Sequence, residues 1–264
     1  LAAIRAEKTK ADVARLMGKS QRVFGGSVFG ASVQVDGKDP DHYRVYLNQA
    51  GLGLPDRDYY LEPGFAPQKA KYEAYVARML TLARWPEPAA NAKAIVAMET
   101  EIAKVSWSRA EQRDDDKMYN AYEAAKLAAL APGFDWAAFL AGAGLGKAGR
   151  VVAQENTAFP KIAAIFDKTP LATLKAWQAF HLADQAAPYL SKPFVDARFD
   201  FRGKVLTGQQ VQRPRWKRGV QLVDGQVGEA LGKAYLAAYF PPERKPKMLA
   251  LVGESRTAMK GRIE

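Results

Sequence analysis

Two histidines, His42 and His181, are all the imidazole in this 264-residue chain, and cysteine is absent. Metal or nucleophile chemistry would have to start from those two residues or from carboxylates. The helical pattern HExxH sets two imidazoles on one face to grip zinc, with a glutamate beside them as base. His42 is followed by Tyr43, and His181 by Leu182 with Asp184 three residues on, so neither builds it. A core or surface position is the simpler reading of both. Glu111 and Asp115 have the spacing of a third zinc ligand and its supporting carboxylate, but without the histidines they read as part of the solvated run EQRDDDK. Asp36, Asp39 and Asp41 miss the EF-hand spacing and read as turn formers. GAGLGKAG at 142–149 lacks the spacing and the Lys-Ser/Thr ending of a P-loop and reads as a flexible loop. No serine elbow and no dinucleotide fingerprint is present. No catalytic residue and no metal ligand is assigned.

The most distinctive charged segment is QRPRWKRG at 212–219. Arg213, Arg215, Lys217 and Arg218 crowd the start of a predicted helix, where the macrodipole is already positive. Acidic partners should therefore lie nearby. They could be intramolecular ion pairs and caps, another domain, or an anionic ligand. Trp216 could stack on a base, but its spacing to Val220 predicts inward packing. The net charge of +11 favours an anionic partner, while the spread of basic residues over most of the chain favours a solvated surface. A stand-alone nucleic-acid-binding protein and a non-enzymatic helical scaffold are the rival readings. Binding that falls steeply with salt would mark the first.

Helical periodicity dominates the elements that must carry these residues. Tyr72, Tyr75, Val76, Met79 and Leu80 sit three or four apart, as do Ile95, Met98, Ile102 and Val105. A further amphipathic stretch after Pro170 carries Leu174, Trp177 and His181. The longest helix is predicted from Pro214 to about Phe240, roughly 40 Å of rod with Trp216, Val220, Val223, Val227, Leu231 and Tyr235 as one stripe. Pro241 and Pro242 stop it, and a last helix is expected after Pro246. SVQV at 32–35 and YRVYL at 43–47 alternate around the turn DGKDPD and predict a β-hairpin. The class is mainly α, with one small hairpin near residues 32–47. No apolar run approaches the roughly 18 residues of a membrane span. Leu1 opens the sequence, and helix-forming residues reach both ends without caps, so chain is expected beyond each end.

NQAGLGLPDRDYYL at 48–61 raises a sharper question, because a turn rich in glycine and charge ends in two tyrosines. Gly51 and Gly53 accept positive φ, Pro55 bars a helix, Asp56 and Asp58 can cap, and Tyr59, Tyr60 and Leu61 can anchor the turn on a core. The segment resembles the one by which the neprilysin family of zinc metallopeptidases is recognised, in its bacterial oligopeptidase O-like form. WSRAEQRDDDKMYN at 107–120, PYLSKPFVDARFDF at 188–201 and PRWKRGVQLVDGQVGEALGKAYLAAYFP at 214–241 resemble later family segments in the same order.

The resemblance implies a two-lobed, mostly helical enzyme whose second lobe encloses a cavity that admits only limited-size peptides. Residues 1–264 would be part of that covering lobe. The zinc ligands, HExxH and ExxxD, are expected beyond Glu264, so zinc belongs to the parent enzyme and this chain would bind none. The implied partners are the catalytic lobe of the same polypeptide and peptide substrates, with no nucleic acid. Arg213, Arg215, Lys217 and Arg218 become possible interlobe or ion-pair contacts. Animal members carry a disulfide-forming cysteine where Gly219 stands, which implies a bacterial member, periplasmic or in the cell envelope, with a cytoplasmic place open.

Overall fold

A strip of tyrosine, valine, methionine and leucine at helical spacing buries itself only if other elements bring apolar faces to it. In the computed structural model, which describes residues 1–263, those elements arrive from the whole length of a first unit, Leu1–Gln210. The unit opens with α1 (Ala2–Ala6) and α2 (Lys10–Lys19). Thr9 and Asp12 form a capping box that starts α2 cleanly. The hairpin follows as β1 (Phe29–Asp36) and β2 (Asp39–Gln49), antiparallel with Val33 opposite Val45. It is longer than the alternation at 32–47 announces: β1 begins at the buried Phe29, and β2 runs on through Asn48 and Gln49.

Three helices come next: α3 (Asp58–Leu61), α4 (Ala66–Leu82) and α5 (Pro88–Val105). Tyr72, Tyr75, Val76, Met79 and Leu80 are the buried face of α4, as their spacing predicts. Ile95, Met98 and Ile102 are buried on α5, and Pro88 sits in its first turn, where a missing N–H costs nothing. Short elements fill the middle of the unit: α6 (Asp115–Met118), β3 (Ala121–Glu123), α7 (Leu127–Leu130), α8 (Trp136–Ala143) and β4 (Arg150–Ala153). β4 runs parallel to β2, with Leu47 beside Ala153, and β3 pairs antiparallel on its other side, giving the order β1-β2-β4-β3. Neither AYE nor RVVA is long enough to announce a strand by alternation. The unit closes with α9 (Phe159–Lys168), α10 (Leu171–Ala186), α11 (Lys192–Arg198) and a π-helical stretch, Phe199–Val205.

One part of the core is aromatic. Phe29 of β1 lies 4.9 Å from Phe134, 4.6 Å from Trp136 and 4.9 Å from Phe159, in edge-on or tilted pairs. Another part is a close crossing of α2 and α8. A Cβ on Gly18 would lie 2.0 Å from the Phe139 carbonyl oxygen, and one on Gly142 would lie 2.1 Å from the Arg15 carbonyl oxygen. The first residues of GAGLGKAG are therefore the last turn of α8, which Gly144 ends at φ +77, and not loop as the composition suggests. Gly18→Ala is expected to cost about 1–3 kcal/mol or more, because backbone cannot step aside as a side chain does. Urea unfolding checks it, and a cost below about 0.5 kcal/mol, the range of neutral surface changes, would refute the close crossing.

The second unit starts at Val211 and contains α12 (Arg215–Tyr239) and α13 (Arg244–Ile263). α12 matches the predicted bounds but is not one straight rod: Val227, at φ −136 and ψ 27, breaks it into two segments. α13 begins two residues before Pro246, which falls in the first turn and is tolerated there. No residue of either helix is buried among the described residues. Trp216, expected to pack inward, is 66% exposed, and Val220, Val223, Val227, Leu231 and Tyr235 are exposed with it. The stripe has the spacing of a core face, but its apolar side chains are exposed. No helix among the described residues is long and apolar enough to cross a membrane.

Candidate functional site

The turn after β2 is built around two glycines. Gly51 has φ +100, which a side chain would strain, and Gly53 lies so close to Tyr72 that a Cβ would sit 1.8 Å from its hydroxyl oxygen. Asp56 Oδ1 accepts the Asp58 N–H at 3.2 Å as α3 begins, and Asp56 also pairs with Arg109. α3 then delivers Tyr60 inward, while Tyr59 stacks on Phe65 at 4.2 Å.

Tyr60 Oη accepts the N–H groups of Gly53 and Leu54 at 3.0 and 2.9 Å. It donates in turn to Glu99 Oε2 of α5 at 2.7 Å. Tyr72 Oη of α4 donates to the same oxygen at 2.9 Å. On Oε1, Trp177 Nε1 donates at 2.9 Å and His181 Nε2 lies at 2.9 Å, both from α10. Four groups, from the long helices α4 and α10 and the short α3, thus converge on one carboxyl of α5 that is 0% exposed. Burial, and then the Glu99 charge, pushes the hydroxyls of Tyr60 and Tyr72 well above their ordinary range. They stay neutral donors.

The Gly53 carbonyl continues the network. It accepts from Arg202 Nη1 and Nη2, both at 3.1 Å. Arg202, on the π-helical stretch, grips Asp184 of α10 with Nε at 2.9 Å and Nη2 at 2.5 Å. Tyr75 Oη donates to Asp184 at 2.5 Å, and Arg198 Nε lies 3.8 Å away. Burial alone would raise the Asp184 carboxyl, but the Arg202 hydrogen bonds and charge hold it below the ordinary range. An acid–base triad of Glu, His and Tyr normally serves substrate. Here Glu99 is sealed, so the cluster holds the turn, α4, α5 and α10 in one rigid block.

The remaining candidates are dispersed. His42 is exposed on the hairpin and pairs with Asp39 at 2.8 Å, whereas His181 is committed to Glu99. Glu111 takes the N–H and hydroxyl of Ser108, both at 2.7 Å, and Asp115 opens the short α6. Asp36 accepts the Lys38 N–H at 3.0 Å in the hairpin turn, as a turn former does, and pairs with Arg44. No three His, Cys, Asp or Glu side chains among the described residues group so as to hold a metal. Arg213, Arg215 and Lys217 are exposed and Arg218 is half-buried at the start of α12. Lys217 lies 5.4 Å from the Trp216 ring centroid, and none of the four forms an ion pair among the described residues.

The sequence model of Peptidase family M13 matches residues 1–264. The chain belongs to peptidase family M13. It is 26% identical to Neprilysin-11 of Caenorhabditis elegans over 96% of its own length and 32% of that protein's. It is 25% identical to human Endothelin-converting enzyme 1 over 87% of its length and 31% of that protein's. Among solved structures it superposes on Mycobacterium tuberculosis zinc metalloprotease Zmp1 in complex with inhibitor at a TM-score of 0.88 and 33% identity. That match covers 94% of this chain and 39% of Zmp1. PepO from Lactobacillus rhamnosis shares the fold, with a TM-score of 0.77 at 17% identity. The M13 chain spans about a third of the length of the curated relatives it matches.

Two residues of the M13 chain that organise the cluster escape a reading of motifs. Glu99 is one, although a signal exists: it is a charge on the apolar face of α5, beside Met98 and Ile102. Arg202 is the other. It follows the PYLSKPFVDARFDF motif by one residue, and only the fold brings it to Gly53 across 149 positions.

Proposed function

We propose that this M13 chain is part of the non-catalytic covering lobe of a zinc-dependent oligopeptidase or endopeptidase. The lobe encloses the cavity and restricts access to peptides of limited size. The observation that carries this reading is the superposition on a zinc metalloprotease along nearly the whole chain but only 39% of that enzyme. Within this stretch the two histidines are occupied elsewhere, His42 by Asp39 and His181 by Glu99. The catalytic zinc domain would follow Glu264. There zinc would supply the Lewis acid that polarises the scissile carbonyl and activates water. The present residues act sterically: the Glu99 cluster stiffens the wall, and lobe opening admits peptide and releases product. The exposed stripe of α12 and the cations Arg213, Arg215, Lys217 and Arg218 would face later parts of the same polypeptide. The cysteine-free sequence and the mycobacterial relative support a bacterial parent.

The test compares the 264-residue chain with the full-length gene product. The short chain is expected to bind no stoichiometric zinc and to cleave no peptide. The long one is expected to hold zinc and to lose activity as peptides lengthen. Tight zinc binding or peptide hydrolysis by the short chain would overturn the proposal.

A further inference from the structure

The carboxyls of the Glu99 cluster are fully partnered, but the junction of α1 and α2 is built the other way. Glu7 is 7% exposed, and neither of its carboxyl oxygens accepts a hydrogen bond. Gln178 of α10 packs alongside it, 3% exposed. The Gln178 Nε2 donates to the Val13 carbonyl at 3.2 Å, and its Oε1 is also without a donor. Both Glu7 oxygens and Gln178 Oε1 are thus buried without a hydrogen-bond partner in bonding geometry, although the Gln178 amide and the Lys175 ammonium face Glu7. A single proton on Glu7 turns one of the three into a donor.

We infer that Glu7 is the proton-operated latch of a strap formed by α1: neutral, it keeps α1 on α10, and ionised, it lets α1 lift. The strap has few other fastenings. Among residues 1–9 only Ile4 and Glu7 are buried. Lys175 Nζ of α10 donates to the carbonyls of Arg5 and Glu7, both at 2.9 Å. Arg5 reaches the Arg84 carbonyl at 3.1 Å and lies over the Trp85 ring. Beneath α1 is a cavity of about 70 Å³, lined by Leu1, Ile4, Leu16, Phe24, Gln178 and Leu182, which lifting would open.

The charged groups around Glu7 act in both directions. Burial is the strongest influence and favours the neutral acid, with the Asp12 carboxyl of α2 adding to it. The Lys175 ammonium of α10 and the Gln178 amide oppose them. The balance raises the Glu7 carboxyl from 4.5 to about 7. The closed strap therefore binds the proton more tightly than the open one. Closure is strongest below about pH 4.5, weakens by up to tenfold per pH unit as pH rises toward about 7, and is constant above that.

Hydrogen exchange of residues 1–10, followed by mass spectrometry from pH 4.5 to 9 on the 264-residue chain, tests this. After division by the intrinsic rate, protection is expected to fall at least about tenfold between pH 5 and 7 and then level off. In Glu7→Gln, whose amide carries a permanent donor, protection should stay flat. The same pH course in both proteins would overturn the latch. So would a carbon-detected NMR titration of the Glu7 carboxyl with its midpoint near 4.5, which needs no variant.

Discussion

Glu99→Ala is expected to strip the first unit of a large share of its stability. The substitution removes the acceptor for Tyr60, Tyr72, Trp177 and His181 at once. Each stranded buried donor costs about 1–3 kcal/mol, and the emptied volume adds a cavity term. These costs are not additive, since the tyrosines can reorient, and about 3–5 kcal/mol is the working figure. Against a typical total of about 5–15 kcal/mol, that is a large share. Glu99→Gln keeps the shape and one oxygen but turns an N–H₂ toward a donor, so about 1–3 kcal/mol is expected. Urea midpoints measured by tryptophan fluorescence decide it. A cost below about 1 kcal/mol for Glu99→Ala would mean that the four hydrogen bonds contribute no more than ordinary surface contacts.

Arg202→Met should cost about 3–5 kcal/mol at neutral pH, because it takes the bidentate partner from a buried carboxylate, leaving it only Tyr75 and the more distant Arg198, and takes both guanidinium donors from the Gly53 carbonyl. The pH dependence distinguishes lost charge from lost packing. In the native protein Asp184 is held below 3.8, so its contribution is present above that value and disappears as pH falls through the folded-state value. Without Arg202, burial prevails and the Asp184 carboxyl moves above 3.8. The variant then becomes less stable as pH rises through the acid range. Its deficit relative to the native protein should be smaller at about pH 4 than at pH 7. An equal deficit at both values would attribute the loss to packing of the Arg202 stem alone. The two substitutions strike one network from opposite ends, through Tyr60 on one side of the Gly53–Leu54 turn and Arg202 on the other.

Their double variant should therefore cost less than the separate losses added together, because the turn freed by one is no longer held by the other. That coupling gives the segment NQAGLGLPDRDYYL its meaning. Tyr60 is not an apolar anchor with an idle hydroxyl. It receives two backbone N–H groups and passes a hydrogen bond to Glu99, so the turn is fastened by polar contacts inside the buried core. The apolar reading of the tyrosines is right about burial and silent about this purpose.

Local patterns carried the reading of α4, α5, α10 and α12, because three- and four-residue spacing is a property of each helix alone. The hairpin was equally legible, its alternation and turn lying within twenty residues. The strands β3 and β4 were not, since three- and four-residue strands exist only through partners far along the chain. The same limit applies to Gly18 and Gly142: a glycine in a helix looks like a weak spot until the second helix arrives against it.

By itself the sequence determined the helical class, the hairpin, the absence of a zinc-binding pattern and, through four ordered motifs, the family. Tertiary structure alone decided that Glu99 gathers four donors and that Arg202 closes onto Gly53. It alone left Glu7 without a donor and Trp216 exposed to solvent. The physical reason is the range of the forces. Periodicity records which face of a helix avoids water, whereas a buried hydrogen bond depends on which distant group is brought within about 3 Å of it.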